Sequence, residues 1–219
     1  MTISENKVLF SELAGCSFFS STPNIHGGGG DSSAVGNSTF DGYIDKADTA
    51  DGEITMSGNG EAVIDSLSQN YNRNFNVTKN LFKGSAADLN KYLSGTKMSG
   101  QGAALLEAQE KYGVNALFLM AIIETESGYG NAPARDKSGV KPFNVAGLKK
   151  RGGGYQNNAS YEACIDSLGS NLSRLYFKNG RVTIEKIRQL YCRGNTRWSN
   201  KIVGEMKNIS SKILQQYGE

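Results

Sequence analysis

Apolar positions in the second two thirds of the chain recur with the spacing of amphipathic helices. Side chains three and four residues apart form one apolar face, which is the signal of a helix packed on a core. The predicted helices span residues 61–67, 85–93, 101–112, 161–176, 183–191 and 198–213. The pattern therefore predicts a mainly α domain over residues 76–219.

One further helix, over residues 115–126, differs from the others because its apolar residues cover all faces. Residues 116–123 are almost wholly apolar, and Glu124 and Glu126 follow just before a glycine ends the helix. A helix that is apolar all round is buried. Burial and the negative helix end both disfavour an ionised carboxyl, so this position favours a proton donor at neutral pH.

Two stretches lack helical periodicity. Residues 131–158 are rich in Gly and Lys and are too long for a structureless loop in a compact domain, so we expect a functional lobe there. Its run of glycines at 152–154, flanked by bases, is expected to be a mobile lid rather than a phosphate cradle. Residues 21–60 are rich in Ser, Thr, Gly, Asn and Asp, and residues 1–75 are predicted to be a flexible segment that serves as a tether.

Charge is divided unevenly along the 219 residues. Residues 1–130 hold 8 Lys/Arg and 15 Asp/Glu, a net charge of −7, whereas residues 131–219 hold 16 and 6, a net charge of +10. A basic half indicates an anionic partner, and an anionic polymer such as a cell wall suits it. No run of about 18 apolar residues and no secretory signal occurs, so membrane insertion is not expected.

Few residues are suited to metal binding or nucleophilic catalysis. His26 is the only histidine and precedes a glycine run, which excludes most Ser-His and Cys-His mechanisms. The three cysteines, Cys16, Cys164 and Cys192, have no zinc-site spacing, and Cys164 and Cys192 are expected to be buried free thiols. No metal and no cofactor is therefore expected.

Five segments of the helical part follow one another in a recognisable order. Y-G-V-N precedes the buried helix at residues 112–115, and E-S-G-Y-G ends it at 126–130. The other segments are L-N-K-Y-L-S-G with G-Q-G at 89–95 and 100–102, F-N-V-A-G-L at 143–148, and Tyr191. Together they resemble the glucosaminidase domain of glycoside hydrolase family 73, the bacterial cell-wall autolysins, over residues 77–217. The family usually has phenylalanine where this chain has Ala146.

The resemblance implies a lysozyme-like helical fold with a small irregular or β substrate lobe. In the family the catalytic glutamate lies eleven residues after the motif's asparagine, and counting from Asn115 selects Glu126 rather than Glu124. Because residues two apart lie on nearly opposite helix faces, Glu124 is expected to make a structural contact, to Arg135 or to a lobe lysine.

The implied activity is that of a peptidoglycan hydrolase, an endo-β-N-acetylglucosaminidase that cuts the glycan strands of the bacterial wall with Glu126 as general acid. Tyr191 would face the cleft and orient the substrate or shield developing charge. The residues implied for substrate binding are Tyr129, Phe143, Asn144, Gly147 and Tyr155, of which the three aromatic rings would stack on sugars.

A second catalytic carboxylate is harder to assign. Many family members have a glutamate in the substrate lobe, but residues 149–160 contain no Asp or Glu. Asp136 or Glu162 could activate water, or the substrate's own N-acetyl group could attack the anomeric carbon, and the last route is favoured here.

Two other functions remain open. A muramidase or lytic transglycosylase on the same fold would cut the other linkage, although the transglycosylase motif G-L-M-Q is absent. An inactive wall-binding or phage structural module is the non-enzymatic alternative. The missing export signal indicates a bacteriophage lysin that is released at lysis or carried in the virion. Residues 1–75 would then tether it to a virion or tail partner. The protein is expected to act at the extracellular wall, and no nucleic-acid partner is expected.

Overall fold

The computed structural model describes residues 58–217 and has seven α-helices with a small sheet in that part of the chain. The helices are α1 Gly58–Leu67, α2 Ala86–Leu93, α3 Gly102–Tyr112, α4 Ala116–Ser127, α5 Tyr161–Leu175, α6 Ile184–Tyr191 and α7 Trp198–Gln215. A 3-10 turn, Phe177–Asn179, follows α5, and the antiparallel strands are β1 Arg135–Asp136 and β2 Gly139–Val140. The predicted mainly α fold with a small β lobe is confirmed.

Helix α4 lies at the centre of the molecule. Its residues 116–123 are all buried, at 1% exposure or less, as the apolar pattern predicts. Helix α7 packs against α4, α1, α2 and α6, while α3 packs against α2, α4 and α5. Every face of α4 therefore meets protein.

Four of the described helices, α2, α4, α5 and α6, begin at a residue whose side chain caps them. In α2 the Ser85 hydroxyl accepts from the Asp88 backbone N–H at 3.3 Å, and the Asp88 carboxylate accepts from the Ser85 N–H at 2.6 Å, which is a capping box. Asn115 caps α4 by accepting from the Phe118 N–H at 3.1 Å, while its own N–H donates to the Val77 carbonyl at 2.8 Å. The second hydrogen bond ties the start of α4 to Val77, in the segment that precedes α2.

The folded unit begins before residue 76, where the sequence placed its boundary. Val63 and Leu67 of α1, and Tyr71 and Phe75 after it, belong to the same hydrophobic core as α4. The Ser210 hydroxyl of α7 donates to the Leu67 carbonyl at the end of α1. The helix predicted at 61–67 is thus confirmed and starts three residues earlier, whereas residues 1–57 lie outside the described residues.

The two cysteines of the described part differ. Cys164 is a buried free thiol, as predicted, and burial raises its pKa to about 11. Cys192 is buried but disulfide-bonded, so the expectation of a free thiol is wrong for that residue. None of the helices between residues 58 and 217 has the length and apolarity needed to cross a membrane.

Candidate active site

Glu126 lies in the last turn of α4, where the buried helix ends. Gly128 adopts a left-handed conformation (φ 56°) directly after the helix, and its N–H donates to the Glu124 carbonyl at 2.9 Å. The Ser127 hydroxyl donates to the Ile123 carbonyl at 3.1 Å and accepts from the Gly130 N–H at 3.0 Å. Glu126 is 7% exposed. The two conditions for a proton donor, burial and a helix C-terminus, are therefore both met.

Glu124 has different surroundings. It is half-buried, and burial raises the pKa of its carboxyl, with a further increase from the charge of Glu205. Lys201 and Lys212 act in the opposite direction. All three charged residues are on α7, so the expected partner at Arg135 or a lobe lysine is wrong. Glu124 belongs to the contact between α4 and α7.

Tyr191 ends α6 beside Glu126. Its hydroxyl donates to the Ala146 carbonyl at 3.2 Å, and its ring lies 5.1 Å from the Trp198 ring. Burial raises the pKa of Tyr191 well above its ordinary value, and the nearby charge of Glu126 raises it further. The phenol is therefore a neutral hydrogen-bond donor. The structure thus brings together Glu126, Tyr191 and the segment 143–148 that the sequence selected separately.

Asn144 and Gly147 shape that segment from inside. Asn144 is fully buried; its side-chain amide donates to the Leu148 carbonyl at 2.7 Å and to the Gln156 carbonyl at 3.0 Å, and its side-chain oxygen accepts from the Leu148 N–H at 2.8 Å. Gly147 takes a left-handed conformation (φ 63°) within the same turn. Asn144 therefore positions the loop, and its amide is engaged within the protein rather than directed to a ligand.

Three predicted stacking aromatics occupy different places. Tyr129 is only 6% exposed and packs edge-on against Tyr92 at 6.1 Å, so it offers little surface to a sugar ring. Phe143 is half-buried and meets Tyr161 edge-on at 5.2 Å. Tyr155 is half-buried with the Lys149 ammonium 5.5 Å from its ring centre. Phe143 and Tyr155 are the rings with surface to present.

Asp136 is engaged in the lobe. One carboxylate oxygen accepts from the Ser138 hydroxyl at 2.6 Å and the Ser138 N–H at 2.9 Å, and the other accepts from the Tyr155 N–H at 2.9 Å. These hydrogen bonds, that of the Ser138 hydroxyl most of all, hold the pKa of Asp136 far below its usual range. A carboxylate this acidic is a poor proton acceptor at neutral pH, which disfavours Asp136 as the base.

Glu162 lies at the start of α5, on a groove that Glu126 does not line. It is exposed in the first turn of α5 and lines a groove between α3 and α5 with Glu107 and Asp166. Hydrogen bonds from Ser160, its own backbone N–H and Gln101 lower its pKa. Glu126 does not line this groove, so the structure does not bring Glu162 to the general acid.

Two residues that sequence reasoning missed support the site. Tyr161, which contacts Phe143, also approaches the turn after α4, since a β-carbon on Gly130 would lie 3.6 Å from its hydroxyl. Lys141 is 8% exposed and donates to the Ser138 hydroxyl at 2.8 Å. The only signal for Tyr161 was its position directly after the helix cap Ser160, and Lys141 gave none.

The chain matches no protein-family model and no curated protein. Among solved structures it is similar to S. aureus autolysin E in complex with the muropeptide NAM-L-Ala-D-iGlu, at 21% identity and a TM-score of 0.49, over 78% of this chain and 83% of that one. The chain is also similar to a catalytic mutant of S. aureus autolysin E in complex with the disaccharide NAG-NAM. The identity is 20% and the TM-score 0.49, over 77% of this chain and 83% of that one. At this identity and this TM-score, neither an activity nor a residue role is assigned to this chain from the autolysin.

Proposed function

We propose that this protein is a peptidoglycan hydrolase that cuts the glycan strand as an endo-β-N-acetylglucosaminidase, with Glu126 as general acid. The observation that supports this most is the placement of Glu126. It is a 7% exposed carboxyl at the end of the buried helix α4, inside the segment E-S-G-Y-G, and next to the neutral phenol of Tyr191.

Glycosidic cleavage needs a proton on the leaving oxygen and stabilisation of an oxocarbenium-like transition state. Glu126 supplies the proton. Asp136 is hydrogen-bonded within the lobe and Glu162 lies over another groove. The second role therefore falls to the substrate's N-acetyl group, whose oxygen attacks the anomeric carbon and forms an oxazolinium that water then opens.

Tyr191 orients the lobe and the acid together in this proposal. Its hydroxyl donates to the Ala146 carbonyl at 3.2 Å, and it lies close enough to Glu126 for the charge of that carboxyl to raise the pKa of Tyr191. Because the pKa of Tyr191 is raised, its phenol stays protonated at neutral pH and remains a hydrogen-bond donor. Phe143 and Tyr155 offer the apolar surface for sugar rings.

Mass analysis of reduced products from purified peptidoglycan tests the activity. The proposal predicts reducing ends of N-acetylglucosamine. Reducing ends of N-acetylmuramic acid would identify a muramidase, and 1,6-anhydro ends a lytic transglycosylase. No released product would favour a wall-binding module without activity.

Delivery by a bacteriophage stays a prediction. A tether to a virion or tail partner was assigned to residues 1–75, of which 1–57 lie outside the described residues. Immunodetection in purified virions tests this role, and finding the protein only in the medium of a phage-free host would contradict it.

A further inference from the structure

Basic side chains concentrate on the lobe that follows α4. Residues 135–155 contain six Lys/Arg and a single acid, Asp136. Four of these bases are exposed: Arg135, Lys137, Lys150 and Arg151, called here the basic surface. Within residues 58–217 none of the four forms an ion pair. Their charge is therefore available to an external anion.

The single acid of the lobe does not neutralise this surface. The Asp136 carboxylate accepts three hydrogen bonds from Ser138 and Tyr155, and the buried Lys141 ammonium lies 3.5 Å away. Asp136 and Lys141 compensate each other inside the lobe. The net positive charge of the exposed residues remains.

Hydrogen bonds order the segment that carries Lys150 and Arg151. Lys149 and Tyr155 form an antiparallel bridge, and the Lys150 N–H donates to the Gly154 carbonyl at 3.1 Å. Asp136 joins this hairpin to the sheet through the Tyr155 N–H. The approach is close, because a β-carbon on Gly154 would lie 3.0 Å from the Asp136 carboxylate. The hairpin is thus fastened to β1, where Arg135 and Asp136 lie.

The lobe is attached on both sides of the candidate site. The Ala132 N–H donates to the Ser127 carbonyl at the end of α4, at 2.8 Å. At the other end, Tyr191 donates to the Ala146 carbonyl. The lobe that carries the basic surface is therefore fastened to the end of α4, where Glu126 lies, and to Tyr191.

We propose that the basic surface binds the anionic groups of a wall polymer, carboxylates or phosphodiesters, and holds the polymer beside Glu126; this rests on the proposed function. Clustered charge of one sign raises the local concentration of an oppositely charged ligand, and salt screens the effect. A wall polymer is favoured over nucleic acid because the surface adjoins a site proposed to cut glycan.

The test compares the double variant Lys150→Gln/Arg151→Gln with a matched control, Lys178→Gln/Lys207→Gln, which removes two exposed charges from the 3-10 turn and from α7. Both are made in Glu126→Gln protein and sedimented with purified walls at low and high salt. One portion of wall has its phosphodiester polymer extracted with hydrogen fluoride, and another has its carboxyls amidated. In parallel, the two doubles with intact Glu126 are assayed on a soluble uncharged N-acetylglucosamine oligomer.

The proposal predicts that the lobe variant binds walls about tenfold more weakly at low salt, that the loss shrinks at high salt, and that the control is unchanged. Rates on the uncharged oligomer stay the same for both doubles. Loss of binding after extraction identifies phosphodiesters, and loss after amidation identifies carboxylates. Equal binding by both doubles, binding insensitive to both treatments, or tighter binding to nucleic acid than to walls would overturn it. If the wild-type protein releases no product from walls, the proposed function fails while the binding result stands, whereas hydrolysis by Glu126→Gln would remove only the role of Glu126 as general acid.

Discussion

Glu126 and Glu124 are two residues apart on α4 but have opposite surroundings. Glu126 is buried beside Tyr191, whereas Glu124 faces Glu205, Lys201 and Lys212 of α7. The spacing from Asn115 selected Glu126, and that role stays a prediction, but the two carboxyls do have the different surroundings expected of positions two apart on a helix. The sequence could not indicate the partners of Glu124, because those are set by the packing of a helix about 80 residues later.

The sequence could not show which polar side chains of the lobe are hydrogen-bonded within the protein. Asn144 lies in the segment F-N-V-A-G-L and Asp136 precedes it, and both were considered as residues near a substrate. Their side chains are instead engaged with backbone groups 12 and 19 residues away. Buried polar groups must be paired, and nothing in a linear pattern shows whether the partner is a ligand or the protein's own backbone.

Tyr191→Phe removes the hydrogen bond to the Ala146 carbonyl and keeps the ring. We expect the free energy of unfolding to fall by about 1–2 kcal/mol, since that buried carbonyl loses its donor, and we expect the hydrolysis rate to fall as well. Because the pKa of Tyr191 is raised, wild-type activity should show no loss from its ionisation up to pH about 10. Denaturant melts and pH–rate profiles measure both, with Tyr176→Phe as the control for a buried tyrosine.

Asp136→Asn tests the alternative base. Loss of a general base lowers rates by roughly 10²–10⁴, whereas we expect a much smaller change on a soluble uncharged oligomer. The pKa of Asp136 is lowered in the folded state, so its stabilising effect is present above the ordinary value of about 3.9 and is lost as pH falls below it. The variant should therefore lose stability at neutral pH and show a weaker decline in acid. A rate loss in the range of a missing base would restore Asp136 to the mechanism.

At the scale of elements, the helices and the place of the small β lobe were predictable, whereas the internal hydrogen bonding of the lobe was not. Four helices have an N-cap side chain that the sequence supplies: Ser85 for α2, Asn115 for α4, Ser160 for α5 and Thr183 for α6. The lobe has two short strands and a hairpin whose order depends on Asp136 and Tyr155, 19 residues apart. The expectation of a mobile lid at 152–154 followed from glycine content alone and stays a prediction.

Two helical glycines give a matched pair of predictions. A β-carbon on Gly169 of α5 would lie 2.5 Å from the Tyr112 ring of α3, whereas one on Gly204 of α7 would meet nothing within 4 Å. We expect Gly169→Ala to destabilise the protein by about 1–3 kcal/mol through overpacking. Gly204→Ala should stabilise it by about 1 kcal/mol through helix propensity. Thermal and denaturant unfolding measure both, and a stabilising Gly169→Ala would show that α3 and α5 approach less closely than described.

At the scale of the whole molecule, the boundary at residue 76 was wrong because residues 58–75 carry too few apolar side chains to indicate a core by themselves. Val63, Leu67, Tyr71 and Phe75 belong to a core formed with elements later in the chain, among them α7, which packs against α1. The uneven charge, in contrast, was readable directly and persists as the exposed bases of the lobe.

Glu185 links distant parts of the molecule. It forms ion pairs with Arg73 before α2 and Arg188 of α6, both at 2.7 Å, and accepts from the Ser199 hydroxyl of α7 at 2.8 Å. Burial raises its pKa, but the hydrogen bonds outweigh burial and lower the pKa to about 2. Its stabilising effect is therefore present above the unfolded value of about 4.3 and is lost as pH falls towards 2.

Glu185→Gln should lower the free energy of unfolding by roughly 2 kcal/mol at pH 7, after allowance for solvent screening. It should also flatten the loss of stability between pH about 4 and the lowered folded pKa. Denaturant titrations at several pH values measure this, with the exposed Glu61→Gln as control. If the variant loses stability in acid as steeply as the wild type, the ionisation of Glu185 is not the cause of that loss.

The central claim is that Glu126 donates the proton, and a matched pair of variants tests it most directly. Glu126→Gln and Glu124→Gln remove one carboxyl each from the same helix, and both are assayed on purified peptidoglycan after circular dichroism shows that they fold. The account predicts that Glu126→Gln loses roughly 10²-fold or more in rate, while Glu124→Gln keeps most of its activity. Full activity in Glu126→Gln, with loss in Glu124→Gln, would contradict it.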